Sequence, residues 1–387
     1  MKAMNRNLKI MKWIYGTSLP FMLGPILHEF YNHYGLEVSF FYQILAVSVV
    51  STFVFEVPTG MIADRIGYKY SLFLGVLMMT ISVFMMVFLQ SFFWFVFSEI
   101  LFALGIAFKS GADAGLIYDS LVILKKEDEY VDIFSKIRKY TYLFAGVGSV
   151  LSSVIFKLDP RLPFLINSLF MATNILLTLF LTEPNHTKDE NRITFKEQMN
   201  FVVKHSLKNR DILRIVLVSS VLYGFFRMNF NSYQPFLKAQ GVDVLFYGVI
   251  FFSLNLVAYI ASSNSKKVLS LFKSNFIFLL VVIVMSFTLL SIPVLPAGIL
   301  GMMVAQFFRS LYPPITTEMI NKRTESSIRA TMLSTLSFAG NLMAAVFAFV
   351  IGLYANHVST YQNNIIIALT LVVIYLVLNQ VRKRKNS

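Results

Sequence analysis

Long apolar runs alternate with short polar turns along the whole chain. The runs stay hydrophobic over roughly 17–25 residues, the length that an α-helix needs to cross the hydrocarbon core of a bilayer. They lack the two-residue alternation that a membrane β-strand shows. In lipid every backbone N–H and C=O must be bonded within the protein, and a helix achieves this inside each run. The pattern therefore predicts an all-α polytopic membrane protein.

The pattern predicts twelve spans in two groups of six. The spans cover residues 12–33, 39–61, 71–90, 92–120, 139–157, 163–182, 212–236, 244–263, 274–292, 296–319, 330–355 and 361–381. The longest polar segment predicts a cytoplasmic linker over 183–211, between an N-terminal bundle over 1–182 and a C-terminal bundle with a basic tail over 212–387. Within this linker, apolar residues at Phe195, Met199, Val202 and Val203 predict an amphipathic helix on the inner leaflet.

Composition and charge support this interpretation and fix a predicted orientation. Of the 387 residues 56% are hydrophobic, and the mean hydropathy is +0.67. With the N-terminus in the cytoplasm, most of the 34 Lys and Arg fall at the cytoplasmic ends of the spans, and the opposite loops hold only Lys157, Arg161 and Lys238. This asymmetry is the positive-inside rule. It predicts cytoplasmic termini in the cell membrane, and it explains the net charge of +14 without nucleic-acid binding.

Several function classes lack the residues that they need. The chain has no cysteine, so disulfides, iron–sulfur centres and thiol chemistry are excluded. No phosphate-binding G-x-x-x-x-G-K-[ST] loop is present, the five histidines are scattered, and the short loops leave no room for a catalytic domain. We therefore expect no enzyme activity, no cofactor and no metal. A channel would need a filter-like segment, which the sequence does not show. Secondary transport remains, with a non-transporting receptor as the alternative from a different class.

One cytoplasmic turn concentrates polar chemistry between two apolar spans. The stretch EVPTGMIADRIGYKYS runs from Glu56 to Ser71 and places Gly60, Asp64, Arg65, Gly67 and Lys69 in the order G-x-x-x-D-R-x-G-x-K. The glycines permit a tight turn, the aspartate can cap the next helix, and the arginine offers a forked donor to a carboxylate. A simpler interpretation is a charged turn that prevents two hydrophobic helices from sliding into the bilayer.

This turn, the twelve spans and the six-plus-six division together resemble the major facilitator superfamily. The resemblance covers the full chain and implies two six-helix bundles around a central cavity. It also implies that Arg65 pairs with an acid at the inner end of helix 4 and so latches the cytoplasmic side. Asp119 is the best partner, with Asp113 second. The second half departs from the pattern, because ASSNSKKVLS, after span 8, lacks the glycine and the Asp-Arg pair.

Ionisable residues inside spans are the other candidates for function, because burying them in lipid is costly. Helices 1, 4, 7 and 10 line the cavity in the family that the chain resembles, and these helices carry Glu29, Glu99, Lys109, Asp113, Arg227 and Arg309. At 100° per residue the three helix 4 residues share one face, and Lys109 and Asp113 form an i,i+4 pair. Tyr223 and Gln306 are further candidates for polar lining. The alternative is that these charges neutralise one another and only tie helices together.

The proton-coupling candidates are Glu29, Glu99 and Asp113. Burial raises the pKa of a carboxyl group toward neutrality, and a neighbouring cation lowers it again. Because Lys109 lies one helical turn away, we expect Asp113 to stay ionised and structural, and Glu29 and Glu99 to titrate. Lys109, Arg227 and Arg309 would suit an acidic group on a solute.

The direction of transport and the solute are less closely defined. The FEVPTGMIADRIG stretch resembles the bacterial drug-exporting branches of the superfamily. Helix 5, however, lacks the G-P-x-x-G-G of proton antiporters, and helix 4 carries Glu99 and Lys109 where such antiporters have an arginine. The first interpretation is proton-coupled efflux of amphiphilic small molecules by a monomer in contact with membrane lipids. The alternative is transport of an anionic or zwitterionic metabolite or lipid. Proton-coupled uptake is a third.

Overall fold

The computed structural model describes residues 1–184, 210–263, 276–321 and 326–383, and these segments form α-helices joined by short turns. No β-strand occurs within them. The predicted amphipathic helix of the linker and most of the turn after span 8 lie outside the described residues.

The first half of the chain forms eight helices and one short 3₁₀ turn. The helices are α1 (Lys2–Thr17), α2 (Leu27–His33), α3 (Val38–Ile66), α4 (Tyr68–Phe88), α5 (Phe92–Lys109), α6 (Ala112–Ile123), α7 (Tyr130–Leu158) and α8 (Leu162–Leu179), and the 3₁₀ turn covers Glu127–Glu129. The described part of the second half forms α9 (Arg210–Asn231), α10 (Tyr233–Ala239), α11 (Val244–Ser263), α12 (Phe276–Leu290), α13 (Leu295–Asn321), α14 (Ser326–Tyr354) and α15 (Thr360–Lys383).

Each of the twelve predicted spans coincides with one helix or with a pair of helices separated by a break. Six segments of the described chain are long and apolar enough to cross a membrane. They are Val38–Glu56, Tyr68–Phe88, Phe92–Ile123, Asp132–Leu158, Leu162–Leu179 and Val244–Ser263. The all-α membrane fold predicted from the hydrophobic pattern is therefore confirmed, with boundaries that shift by a few residues at most ends and by more at the first and fifth spans.

Three predicted spans are interrupted, which the sequence analysis did not predict. The first span is broken between α1 and α2, where Pro20, Gly24 and Pro25 occur. Proline lacks an N–H donor and therefore cannot continue the hydrogen-bond ladder of a helix. The fourth span breaks at Ser110 and Gly111, and Gly111 adopts a φ of 78°, which is open to glycine at little cost. The seventh span breaks at Ser232, between α9 and α10.

Helices α4 and α5 form the closest helix pair of the first half. A Cβ atom on Gly75 would lie 2.8 Å from the carbonyl oxygen of Gly105, so only glycine permits this approach. Further along the pair, the Ser82 hydroxyl donates to the Ser98 carbonyl oxygen at 2.8 Å, and the Ser98 hydroxyl donates to the Ser82 carbonyl oxygen at 2.7 Å. Small residues and reciprocal hydroxyl bonds are the usual way in which helices associate in lipid, where the hydrophobic effect does not drive them together.

The chain separates into two compact units. One comprises Met1–Leu36, Val47–Asn191 and Asp243–Asn255, and the other comprises Glu37–Ala46, Arg192–Val242 and Leu256–Ser387. A hydrophobic core in the first unit joins α1, α4, α6 and α7, with Met11, Leu116 and Ile137 fully buried. In the second unit α9 packs on α14, and α12 packs on α13. The predicted domain boundaries at 182 and 212 stay a prediction.

Candidate functional site

The turn between α3 and α4, which the sequence predicts to be cytoplasmic, is held by a carboxylate from a distant part of the chain. Glu183, just after α8, accepts hydrogen bonds from the backbone N–H of Tyr68 at 2.8 Å and of Lys69 at 2.7 Å. These are among the first N–H groups of α4, which have no partner inside the helix. The Lys69 ammonium in turn donates to the carbonyl oxygen of Leu179 at 2.8 Å. The turn is thereby fastened to the end of α8.

Gly67 is required by this arrangement for two reasons. Its φ is 88°, a conformation that side chains strongly disfavour, and a Cβ atom there would lie 2.8 Å from the Glu183 carboxylate oxygen Oε1. The glycine was predicted from the sequence, where Asp64 was the residue that could cap the helix. The structure gives this cap to Glu183, and the side chain of Asp64 lies outside those described.

The predicted latch between Arg65 and helix 4 has no counterpart among the ion pairs of the described chain. Arg65 is exposed near the end of α3, whereas Asp119 is buried on α6. Within the described residues, Arg65 makes no ion pair with Asp119 or with Asp113. Gly60 is exposed, and a Cβ atom there would meet no neighbour within 4 Å. The latch between Arg65 and Asp119 stays a prediction.

A charged cluster lies at the break between α5 and α6. The Lys109 ammonium is 3.9 Å from the Asp113 carboxylate oxygen Oδ2, and Lys109 is 8% exposed. The Tyr15 hydroxyl, from α1, donates to the same oxygen at 2.8 Å, and the Lys109 ammonium lies 4.8 Å from the centre of the Tyr15 ring. The predicted i,i+4 pair therefore forms, although it spans a break rather than a continuous helix.

The break places each charge at the favourable end of a helix dipole. Lys109 is the last residue of α5, where the dipole is negative, and Asp113 lies in the first turn of α6, where the dipole is positive. The second Asp113 oxygen, Oδ1, accepts the N–H of Ala114 at 2.7 Å. The Asp113 carboxylate thus accepts two hydrogen bonds and lies beside the Lys109 ammonium.

A second polar cluster joins α2 to α5. The Tyr31 hydroxyl donates to a Glu99 carboxylate oxygen at 3.3 Å, and the His28 nitrogen Nδ1 lies 3.4 Å from the Glu29 carboxylate. His28 is buried at 4% exposure. Beside these polar groups the Tyr31 and Phe95 rings pack 4.9 Å apart. Each of these polar contacts therefore joins a predicted proton carrier to a neutral or titratable group.

The two arginines of the second unit contact amides and an aromatic ring. Arg227, on α9, donates to the Asn341 side-chain oxygen on α14 at 3.3 Å, and the Tyr223 hydroxyl donates to the same oxygen at 3.2 Å. In the described chain Arg227 makes no ion pair. Arg309, on α13, donates to the Gln306 oxygen at 3.2 Å, and its guanidinium carbon lies 4.2 Å from the centre of the Phe230 ring.

Three contributing residues were not among the sequence candidates. Glu183 was assigned to the linker, Asn341 lies inside the eleventh predicted span, and Tyr15 is one of 18 tyrosines. Asn341 carried a usable signal, because a polar amide inside a span needs a partner. Tyr15 carried none, since aromatic residues are common in this chain. The assignment of Arg227 and Arg309 to a substrate cavity stays a prediction.

This arrangement defines a class of membrane protein. Ionisable side chains at helix breaks inside membrane spans are typical of transporters, in which unwound backbone and half-helix ends meet a solute or ion. Comparison with known proteins agrees with this class. Residues 14–305 match the family model of the Major Facilitator Superfamily, and the chain belongs to this family. The family points to a membrane transporter rather than to an enzyme.

A relative in sequence and two solved structures are similar to most of the chain. An uncharacterised transporter of this family, YxaM from Bacillus subtilis (strain 168), is 23% identical over 359 residues, which cover 88% of this chain and 87% of YxaM. The crystal structure of a mutant of the nucleoside transporter NupG superposes with a TM-score of 0.81 at 14% identity, over 97% of this chain and 99% of NupG. A second NupG structure gives a TM-score of 0.72 at 16% identity, over 98% and 99%. These likenesses show the fold.

Proposed function

We propose that this transporter is a proton-coupled exporter of amphiphilic small molecules that carry an acidic group. The observation that supports the acidic group is the environment of Arg227. Its guanidinium lies inside a span and contacts the Asn341 amide, and in the described chain it makes no ion pair. Keeping a positive charge inside a membrane span costs free energy unless water, a carboxylate or a solute meets it. A solute anion would meet that need.

The arrangement around Arg309 favours a solute with an apolar body. The guanidinium lies 4.2 Å from the centre of the Phe230 ring, so a cation and an aromatic face are presented together. An acidic amphiphile has the complementary groups, a charge for the fork of the arginine and an apolar part for the ring. Export, rather than uptake, is supported by the likeness of the stretch FEVPTGMIADRIG, residues 55–67, to drug-exporting branches.

Glu29 and Glu99 are the proposed proton carriers, and Asp113 is proposed to stay ionised. Asp113 accepts bonds from Tyr15 and Ala114 and lies beside Lys109. Glu99 accepts a bond from the neutral Tyr31 hydroxyl, and Glu29 lies beside His28, which is charged only when protonated. These contacts of Glu99 and Glu29 are with neutral or titratable groups, whereas the contact of Asp113 with Lys109 is with an ammonium group.

The first experiment separates the solute classes. Purified protein is screened by ligand-induced thermal shift against three amphiphiles with the same apolar body and a carboxylate, an amide or an amine as the head. We expect the carboxylate to stabilise the protein most, and Arg227→Gln to remove that preference. Stabilisation by the amine alone would favour export of cationic amphiphiles. Stabilisation by small polar anions, without any need for the apolar body, would favour the anionic or zwitterionic metabolite as the solute.

The second experiment tests direction and coupling. The protein is reconstituted into vesicles, a pH gradient is imposed in each direction, and movement of the carboxylate amphiphile is followed. We expect the solute to move against the proton flow, and Glu99→Gln or Glu29→Gln to reduce the dependence on the gradient. Asp113→Asn serves as the comparison, because it should lower folded yield rather than coupling. Full dependence on the gradient in both glutamine variants would disprove the assignment of the carriers.

A further inference from the structure

An apolar groove runs between α1 and α8 on the surface of the first unit. Its volume is about 530 Å³, and it is lined by Lys9, Ile10, Trp13, Thr173, Leu176 and Leu177. This volume falls within the range of about 300–1,000 Å³ that small-molecule sites occupy. The groove belongs to neither polar cluster described above, and the proposed transport function makes no use of it.

One wall of the groove is fixed in place by Trp13. The indole N–H donates to the Thr173 hydroxyl at 2.9 Å, which ties α1 to α8. The indole ring packs edge-on against Phe144 at 5.5 Å and lies 6.4 Å from Phe170. Trp13 nevertheless remains 36% exposed. The groove is therefore preformed, with one face of its tryptophan open to an occupant.

The cytoplasmic end of the groove is strongly cationic. Lys2, Arg6 and Lys9 are exposed on α1, and at 100° per residue they lie within about 60° of one another and of Trp13. Arg6 donates to the Thr182 hydroxyl at 3.0 Å, so its guanidinium is held beside the end of α8. In the described chain neither Lys2 nor Lys9 makes an ion pair.

The other charges at this end leave the positive excess in place. Lys69 donates to the Leu179 carbonyl oxygen, which adds a fourth cation near the end of α8. The neighbouring carboxylate, Glu183, already accepts the two backbone N–H groups of the turn. Among the described residues at this end, one acid, Glu183, is therefore set against four bases, Lys2, Arg6, Lys9 and Lys69. An occupant that approaches from this end meets positive charge first and apolar surface beyond it.

We propose that this groove binds an anionic phospholipid of the cytoplasmic leaflet, with its phosphate at Arg6 and Lys9 and one acyl chain against Trp13 and Leu176. Basic residues next to a membrane span attract anionic lipids, and tryptophan favours the level of the headgroups. An apolar chain with an anionic end matches the groove in both respects. A second protein copy fits less well, because a stable protein interface buries roughly 800 Å² on each partner and this groove is lined by six side chains.

The two tryptophans of the chain make the site directly measurable. Trp94→Phe leaves Trp13 as the only tryptophan of the full-length protein, which is reconstituted into phosphatidylcholine vesicles. Phosphatidylglycerol or phosphatidylcholine with brominated acyl chains is then added in increasing mole fraction, and quenching of Trp13 fluorescence is recorded. We expect half-maximal quenching at a roughly 25-fold lower mole fraction of the brominated phosphatidylglycerol, because each of the two cations at the phosphate contributes a factor of about five.

Charge variants assign the preference to the groove. Lys9→Gln and Arg6→Gln, each in the Trp94→Phe background, should each shift the phosphatidylglycerol curve toward the phosphatidylcholine curve by about fivefold. Lys136→Gln is the matched control, because Lys136 is exposed on α7 and its ammonium pairs with Asp132 at 2.6 Å. It should leave the curve unchanged. In Trp13→Phe, with Trp94 retained, the measured fluorescence comes from Trp94, near the start of α5. Quenching of Trp94 should show no preference between the two lipids.

Four results would overturn the proposal. The first is equal quenching of Trp13 by the two brominated lipids. The second is a preference for phosphatidylglycerol that Lys9→Gln leaves undiminished. The third is an equal loss of preference in Lys136→Gln, which would mean that the general surface charge is responsible. The last is quenching of Trp13 by neither lipid, which would mean that protein covers the groove. Since these readouts do not involve transport, they are independent of the proposed solute.

Discussion

Removal of the Glu183 carboxylate should open the start of α4. Glu183 accepts the N–H groups of Tyr68 and Lys69 at 2.8 and 2.7 Å, and it stands at the positive end of the α4 dipole. Loss of a helix cap costs about 0.5–2 kcal/mol, and loss of an anion at a helix N-terminus costs about 0.3–1 kcal/mol more. For Glu183→Ala we therefore expect the free energy of opening the first turn to fall by about 1–3 kcal/mol, which is a roughly 5- to 150-fold rise in local opening.

Hydrogen-exchange mass spectrometry measures this opening directly. Overlapping peptides across residues 64–72 isolate the amides of Tyr68 and Lys69, and their exchange rates are compared between the parent protein and Glu183→Ala in the same detergent. Glu183→Gln should give a smaller rise of about fivefold, because the amide keeps one acceptor oxygen but loses the charge. Gly67→Ala should accelerate the same amides, because its Cβ atom would displace the carboxylate and the φ of 88° would be strained.

The matched control is Glu129→Ala. Glu129 is a glutamate of the same predicted cytoplasmic side, its side chain is 55% exposed, and it pairs with Lys126 at 3.5 Å. It should leave exchange at Tyr68 and Lys69 unchanged. Identical exchange rates in the parent and Glu183→Ala, with both proteins folded, would show that the carboxylate does not hold the turn.

Three further predictions concern other parts of the molecule. Gly75→Val should lower the apparent melting temperature, because its Cβ atom would lie 2.8 Å from the Gly105 carbonyl oxygen. Gly24→Ala should not lower it, because a Cβ atom at Gly24 has no neighbour within 4 Å. Equal melting temperatures of the two variants would contradict this prediction. Arg309→Lys should recover only part of the transport lost in Arg309→Ala, because a compact ammonium group replaces the planar, forked guanidinium over the Phe230 ring. Full recovery of transport would show that the guanidinium shape is not needed. Asp243, just before α11, has a lowered pKa because it accepts hydrogen bonds from Lys157, at 2.5 Å, and from the Leu245 amide. These hydrogen bonds should persist above the usual aspartate pKa and be lost as the pH falls through the lowered pKa. The exchange rate of the Leu245 amide, corrected for intrinsic rates, should therefore rise only at acid pH. Asp243→Asn should remove this pH dependence.

Hydrophobic pattern alone predicted the helices but not their interruptions. Span length is set by the thickness of the bilayer, so a run of apolar residues reports a helix whether or not it is broken. The break in the fourth span did carry local signals, because Lys109, Gly111 and Asp113 follow the order of a basic last turn, a glycine stop and an acidic first turn. These signals were outweighed by the hydrophobicity around them. The sequence around Ser232 carries few comparable signals for the end of one helix and the start of the next.

In the candidate site, a contact between residues close in sequence was predicted, and contacts between residues far apart in sequence were not. Lys109 and Asp113 were predicted as a pair because four residues separate them, and the structure brings them to 3.9 Å. Glu183 could not be assigned to the turn in this way, since 115 residues separate it from Tyr68. Asn341, the partner of Arg227, is likewise 114 residues away. Such contacts depend on how the helices pack, which single-sequence periodicity does not encode.

The close pairing of α4 and α5 has a consequence for how the chain enters the membrane during synthesis. The two helices are joined by residues 89–91 alone, so they emerge from the ribosome almost together. Each serine hydroxyl of the pair finds its acceptor on the other helix, and the two glycines let the backbones touch. Polar groups that would be costly in lipid one at a time are thus satisfied within a single hairpin. We expect α4 and α5 to insert as one unit, and Gly75→Val to delay that step before it affects the finished transporter.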